Sequence, residues 1–207
     1  MAAPRPLLRL APQLRYLNKN RPLVSQLPSR RPFFNLPNLP STEPQVLTAS
    51  RTLPYASAQL YDVISDVDAY STFVPYCAHS RVTRRTAPDA DGRTWPTQAD
   101  LRVGWGGFEE TFTSRLRCVP GKSVEAISGA EVDGSTGGDV FKSLVTKWEL
   151  RPLTSGTGTE VDLVIRFQFA NPLYSAVSAA VSEKVAGVMI QAFEKRARAI
   201  LGHPKVQ

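Results

Sequence analysis

The chain is poor in the residues that build metal sites and redox pairs. In 207 residues it has two cysteines, Cys77 and Cys118, and two histidines, His79 and His203. The cysteines have no C-x-x-C spacing, and the histidines show no H-x-x-x-H or His–carboxylate pattern, so no metal ligand set is written into the chain. His203 belongs to the Gly202-His203-Pro204 tail. The two thiols read as free, as in a reducing compartment. No run of about 18 apolar residues occurs, so no transmembrane helix is encoded. Leu7-Leu8 and their neighbours are too short and too charged for the apolar stretch of a secretory signal.

Acid is missing from one region altogether. Residues 1–42 carry Arg5, Arg9, Arg15, Lys19, Arg21, Arg30 and Arg31, and the first acid is Glu43. The rest of the chain has 18 basic and 18 acidic residues, so the formal charge of +7 belongs to the leader. An Arg-containing, acid-free N-terminus with Leu7-Leu8-Arg9-Leu10 interleaving reads as a mitochondrial-type presequence. The other reading is a disordered basic tail for nucleic acid or membrane. Nine of the 17 prolines fall within residues 1–44, which rules out long helices there. Residues 1–42 are thus a Pro-rich leader, and residues 43–207 are enough for one domain with a sizeable core.

The texture changes at Val46. Residues 46–53 read as a strand, and Ser57 is placed to cap a helix in which Leu60, Val63, Ile64 and Val67 share a face. A second short turn ends at Pro75. From Tyr76 to Phe169 the pattern has period 2, giving strands at about 77–86, 96–104, 107–118, 122–129, 139–151 and 159–169. Turn residues separate them, including Asp91-Gly92, Gly106-Gly107 and Pro120-Gly121, and short separators imply an antiparallel sheet. Asn171-Pro172 opens a last helix over about 172–201, with an apolar stripe of Leu173, Val177, Val181, Val185, Val188, Met189, Ala192 and Phe193. Gly202 and Pro204 end it. The expected architecture is α+β: a curved antiparallel sheet of about seven strands wrapped around a long C-terminal helix, with two short helices after the first strand. Such a sheet is too wide for one helix to fill, so a cavity is expected.

This order of elements is that of START-like, helix-grip proteins. Leu53-Pro54-Tyr55, Gln59 to Val67, Tyr70, Phe73, Val74, Pro75 and Cys77 resemble the opening of the mitochondrial coenzyme Q-binding proteins and their bacterial relatives. Ala99 to Gly104, Glu110, Phe112, Ser114, Arg115, Phe141, Leu144, Trp148 to Pro152, Val164 to Phe169 and Ala192 to Ala197 agree with it in order. The resemblance covers residues 46–201 and departs in the 86–96 and 131–138 loops. It implies binding of ubiquinone, or another polyprenyl quinone, in a hydrophobic cavity. It further implies a lipid chaperone for respiratory electron transport and quinone biosynthesis, peripheral to the matrix side of the mitochondrial inner membrane. Contact with biosynthetic or respiratory complexes would follow. It brings no catalytic residues, no metal and no cofactor other than the bound quinone.

Strand phase locates the candidate site. Val161, Leu163, Ile165, Phe167 and Phe169 alternate with polar neighbours and face inward. Phe108, Glu110, Phe112, Ser114 and Leu116 form the inward set of their strand, Ala99, Leu101 and Val103 (continuing to Trp105) of another, and Leu144, Trp148 and Leu150 of a third. The expected ligand-binding residues are Trp105, Phe108, Glu110, Phe112, Leu144, Trp148, Phe167, Phe169, Val185, Met189 and Phe193. Each is equally readable as core. Trp105 stands beside Gly104, Gly106 and Gly107, where a bulge would expose it. Glu110 is a carboxylate on an apolar phase: paired with a residue such as Arg102 on the neighbouring strand, exposed at the sheet edge, or facing a polar headgroup. Tyr70, Phe73, Val74 and Tyr76 form a candidate membrane lip through which a long tail would leave.

Two other classes stay in view. Helix-grip proteins include polyketide cyclases and aromatases, but here only Glu110 offers acid–base chemistry on an inward phase. A protein-interaction module at the ribosome would want a basic surface, and the formally neutral domain does not supply one. For the same reason no nucleic-acid partner is expected of the domain.

Overall fold

Alternation and turn chemistry produce a sheet in which every neighbour is antiparallel. The computed structural model describes residues 44–105, 108–129, 141–154 and 158–202. The strands are β1 (Gln45–Leu53), β2 (Cys77–Arg85), β3 (Pro96–Trp105), β4 (Phe108–Val119), β5 (Ser123–Gly129), β6 (Phe141–Pro152) and β7 (Thr159–Phe169). Helix α1 (Ser57–Ser65) and a short 3-10 helix at Val67–Thr72 follow β1, and α2 (Pro172–Leu201) closes the fold. The sheet order is β1-β7-β6-β5-β4-β3-β2, a meander from β2 to β7 with the first strand laid beside the last. These are the strands and helices expected from the sequence, except that α1 ends at Ser65 and Val67, expected on its apolar face, opens the second short helix. The leader, residues 1–42, lies outside the described residues, as does the whole 131–138 loop with residues 130, 139 and 140.

Burial follows the strand phases. Along β7 the odd residues from Thr159 to Phe169 are buried, and their even neighbours are half-buried or exposed. The filled end of the core lies between α1, α2 and the sheet. Leu60, Val63 and Ile64 of α1 are buried there with Leu53, Val161, Leu163, Ile190, Phe193 and Ala197. Two polar bonds tie this end together. The Tyr55 hydroxyl donates to the Gly202 carbonyl (2.8 Å), and the Thr159 hydroxyl donates to the Tyr55 carbonyl (2.8 Å).

Two further details differ from expectation. Ser57 is the first residue of α1 and not its cap. Ala56 holds the cap position, and the Gln59 side chain reaches back to accept its N–H (3.2 Å). On α2 the buried stripe is Ala186, Ile190, Phe193 and Ala197, with Ile190 only 1% exposed. Val188 and Ala192 are half-buried. The sequence places apolar residues around more than half of this helix. One side packs on α1 and the sheet end, and another carries Val185 and Met189, so a single stripe describes neither. Leu173, Val177 and Val181 lie outside the residues whose side chains are described.

A bulge shapes the wall near the start of β6. Phe141 pairs with Phe169, but Ser143 pairs with Gln168, so one extra residue is inserted there. The bulge reverses the phase, which lets both Phe141 and Leu144 face inward. Gly129, opposite Ser143 on β5, makes room for it with φ of 122°. A Cβ at this position would collide with the Lys142 carbonyl oxygen and lie 2.9 Å from the Ser143 Cα. Gly129→Ala is therefore expected to lower stability by about 2–3 kcal/mol, read as a lower urea midpoint at unchanged slope. An unchanged midpoint would show that the bulge does not need glycine.

Candidate functional site

Between the inner face of the sheet and α2 lies a cavity of about 210 Å³. Leu101 and Val103 of β3, Phe112 and Leu116 of β4, Val124 and Ala126 of β5, and Ile165, Phe167 and Phe169 of β7 build its walls. Phe141, Leu144 and Trp148 of β6 complete the sheet side, and Val185 and Met189 face them from α2. Four phenylalanines form a cluster in this wall. Phe141 stacks on Phe169 at 5.2 Å and meets Phe167 and Phe112 edge-on at 6.1 and 6.4 Å. Such offset and edge-on contacts add to what area burial alone supplies.

Trp148 divides the interior. One side of its ring lines the cavity, and the other touches the filled core, with Phe193 at 4.4 Å. Phe193 is in turn edge-on to Tyr70 and Phe73 at 5.2 and 4.9 Å. This plug keeps the core solid on one side and lets the sheet stand open on the other.

The cavity reaches the surface at Val74, Pro75 and Tyr76, since Tyr76 both lines it and is 47% exposed. The mouth is held by polar bonds. The Tyr70 hydroxyl donates to the Ile64 carbonyl. The Ser71 N–H donates to Ser80 Oγ (2.9 Å), and the Ser80 hydroxyl donates to the Asp68 carbonyl (3.1 Å). The Asp68 carboxylate accepts the Val82 N–H (2.6 Å) and faces Arg85 (2.8 Å), which fixes the short helix to edge strand β2. Tyr76 has φ of 65°, a conformation that bulky residues rarely adopt. The Gly104 N–H holds it there by donating to the Tyr76 carbonyl (2.9 Å).

The polar content of the walls is small. Ser114 and Ser128 are 2% and 5% exposed, and their hydroxyls bond to each other at 2.7 Å. Thr146 and Cys77 also line the cavity. Burial pushes the Cys77 thiol up from its ordinary value, against the opposing hydrogen bonds of the His79 backbone and Ser80. Burial likewise raises the Tyr70 phenol, so both groups stay neutral at physiological pH. Among the described residues no carboxylate, histidine, lysine or arginine lines the cavity, and no group of three or more metal-ligating side chains occurs.

Of the residues expected to bind ligand, Phe112, Leu144, Trp148, Phe167, Phe169, Val185 and Met189 lie on the cavity wall. Phe193 does not, because Trp148 stands between it and the space. Glu110 is buried (6% exposed) on the expected phase but off the wall, and Arg102 faces Glu109 (3.0 Å). The side chains of Trp105 and Phe108 lie outside the described residues. In the expected lip, Val74 and Tyr76 are at the mouth, and Tyr70 is buried wall. Phe73 is packed on Tyr70 and Phe193 beneath Arg196, so it does not offer itself to a membrane. Phe141, Ile165 and the Ser114–Ser128 pair were not singled out. Phe141 was hidden by the bulge, and the serine pair by its cross-strand origin.

A family model described as "Polyketide cyclase / dehydrase and lipid transport" matches residues 53–194. The chain is 35% identical over 151 residues to the mitochondrial coenzyme Q-binding protein coq10 of Schizosaccharomyces pombe, covering 72% of this chain and 85% of that one. It is 38% identical over 142 residues to the mitochondrial coenzyme Q-binding protein COQ10 of Eremothecium gossypii, covering 66% and 64% respectively. It is also 31% identical over 153 residues to the ribosome association toxin RatA of Escherichia coli, covering 73% and 87%. Among solved structures, the Zhui aromatase/cyclase from Streptomyces sp. R1128 superposes with a TM-score of 0.60 at 15% identity, over 78% of this chain and 100% of that one. That likeness speaks for the fold alone.

The cavity and its thiol give two expectations. Ala126→Phe should fill the space, abolish uptake of the fluorescent probe anilinonaphthalene sulfonate and change stability by no more than about 1 kcal/mol, because the added ring enters a void. Retained probe fluorescence would place the apolar site elsewhere. Cys77 and Cys118 both have thiol pKa values raised by burial. At pH 8 they should therefore be mostly protonated and alkylate more slowly than free cysteine, accelerating as pH rises. Fast alkylation of Cys77 at pH 7 would contradict its place in the wall.

Proposed function

This chain belongs to the coenzyme Q-binding protein family, within the polyketide cyclase / dehydrase and lipid transport proteins. From that premise we propose that it holds ubiquinone in its cavity and serves as a lipid chaperone for respiratory electron transport and quinone biosynthesis. The observation that carries this reading is the character of the cavity: aromatic and aliphatic walls, a few neutral hydroxyl and thiol groups, and, among the described residues, a rim at Val74-Pro75-Tyr76. Apolar burial at about 25 cal/mol per Å² supplies the affinity. At about 210 Å³ the space is below the usual range of about 300–1,000 Å³ for drug-sized ligands. It suits the quinone ring and the first isoprenoid units, and the remaining tail leaves through the mouth.

A cyclase would need converging acids and bases, and the described walls offer only neutral Tyr70 and Cys77 together with Tyr76 at the rim. Non-catalytic binding is therefore the reading favoured. The relatives named as mitochondrial, together with the acid-free Arg-containing leader, support a mitochondrial address. No helix among the described residues is long and apolar enough to cross a membrane. Loading is thus proposed to occur peripherally, at the matrix face of the inner membrane, with Val74 and Tyr76 touching the lipid and quinone-making or quinone-using complexes as the receivers.

The test is organic extraction and mass spectrometry of the full chain purified from a quinone-making host. Near-stoichiometric polyprenyl quinone is expected. Protein that is empty and also refuses added ubiquinone would sink the proposal and turn attention to a cyclase substrate or a protein partner. Val74→Asp combined with Tyr76→Asn should cut binding to quinone-bearing liposomes about tenfold while the fold persists, since asparagine accepts the left-handed backbone at 76 better than tyrosine does. Unchanged liposome binding would remove the lip from the scheme.

A further inference from the structure

Two serines are conspicuous in a wall where their neighbours are Phe112, Leu116, Val124 and Ala126. Ser114 and Ser128 come from adjacent strands, are both more than nine-tenths buried, and bond to each other at 2.7 Å. Neither hydroxyl has a further hydrogen-bond partner among the described residues. A hydroxyl has one proton and two lone pairs. In a mutual bond one serine gives its proton and the other keeps its own. The pair therefore retains one free proton and three lone pairs, and both serines line the cavity beside the phenylalanine cluster.

We propose that the Ser114–Ser128 pair is the polar anchor for a ring oxygen of the ligand, and that it accepts the quinone and the quinol about equally. This rests on the ubiquinone reading above. A quinone carbonyl only accepts, so it takes the free serine proton. Two-electron, two-proton reduction turns that carbonyl into a hydroxyl, which donates into a serine lone pair. Either arrangement is reached by rotating two hydroxyl protons. No charged side chain among the described lining residues favours one form, as an arginine or lysine would favour the acceptor oxygen of the quinone. A carrier with such an anchor takes its cargo in either state and leaves the redox balance of the pool undisturbed.

The full chain is titrated with ubiquinone-2, with ubiquinol-2 kept reduced under argon, and with farnesene as a headless isoprenoid, following the quenching of tryptophan fluorescence. The wild type is expected to bind the quinone and quinol within about threefold of each other. For a two-electron couple that ratio is a potential shift of about 15 mV or less. Ser114→Ala/Ser128→Ala should weaken both about tenfold and leave farnesene unchanged. Removing both partners of a buried pair together leaves no orphaned polar group, so the double variant should fold with a near-normal melting temperature. Each single alanine variant keeps one hydroxyl and should lose less than the double. Unchanged quinone binding in a folded double variant would overturn the anchor. A wild-type preference beyond about tenfold for one form would overturn its indifference to redox state. Wild-type protein that takes up neither quinone nor quinol would overturn the ubiquinone reading itself.

Discussion

The structure depends on a mismatch of widths: a seven-stranded sheet laid against one long helix. At 1.5 Å per residue the 30 residues of α2 reach about 45 Å, but a helix with its side chains is only about 10–12 Å across. Strands about 4.8 Å apart make a seven-stranded sheet roughly 30 Å wide. The helix cannot cover that face alone. At one end α1 makes up the difference, and Leu60, Val63 and Ile64 fill the space to the density of an ordinary core. At the other end no described element of comparable size is inserted, and a cavity is left among the described residues. Trp148 and Phe193 stand at the boundary, so a solid half supports a hollow half.

A hollow half must be kept from collapsing, and the polar bonds around the mouth serve that end. Asp68, Ser71 and Ser80 fix the short helix to β2, and Tyr70 fixes it to the end of α1. The Asp68–Arg85 pair is about half exposed on both sides, so as an ion pair it contributes little. Its use is directional, because it shares the carboxylate that also accepts the Val82 N–H. Tyr76 stands at the end of this braced segment in a strained backbone conformation, and among the described residues it is the exposed one that lines the cavity. Strain of this kind persists where surrounding bonds over-determine it, and here the Gly104 N–H is one of those bonds.

The fold was legible in the sequence because two periodicities carried it. Period 2 in β7 and helical spacing in α1 are local signals, and the hairpin turns leave little freedom in the order of strands. Much of the site was legible for the same reason: once a strand's inward phase is known, Phe112, Leu144 and Phe167 follow. The failures have a different origin. Phe141 sits across a bulge that reverses the phase, and a bulge requires knowing what lies opposite, here Gly129. Phe193 has the right phase and the right chemistry but the wrong depth, since depth is set by Trp148 on another element. The serine pair depends on the register of β4 against β5, which no single strand shows. Residue type and spacing thus predict which way a side chain faces, and tertiary neighbours decide what it finds there.

On the ubiquinone reading proposed above, the source of the ligand limits what the walls can do. A quinone taken from water would gain the full benefit of apolar burial, but a polyprenyl quinone resides in lipid, which is as apolar as a wall of leucine and phenylalanine. Most of that gain cancels on extraction from a bilayer. What remains must come from interactions that fluid hydrocarbon does not provide. Aromatic faces held at fixed distances, as in the Phe112–Phe141–Phe169 cluster, are one such source. A hydrogen-bonding group fixed within an apolar wall is the other. The net preference for protein over membrane is then small, which suits a carrier: cargo held by a few specific contacts, and otherwise in surroundings like those it left, is readily returned to lipid or passed to an enzyme.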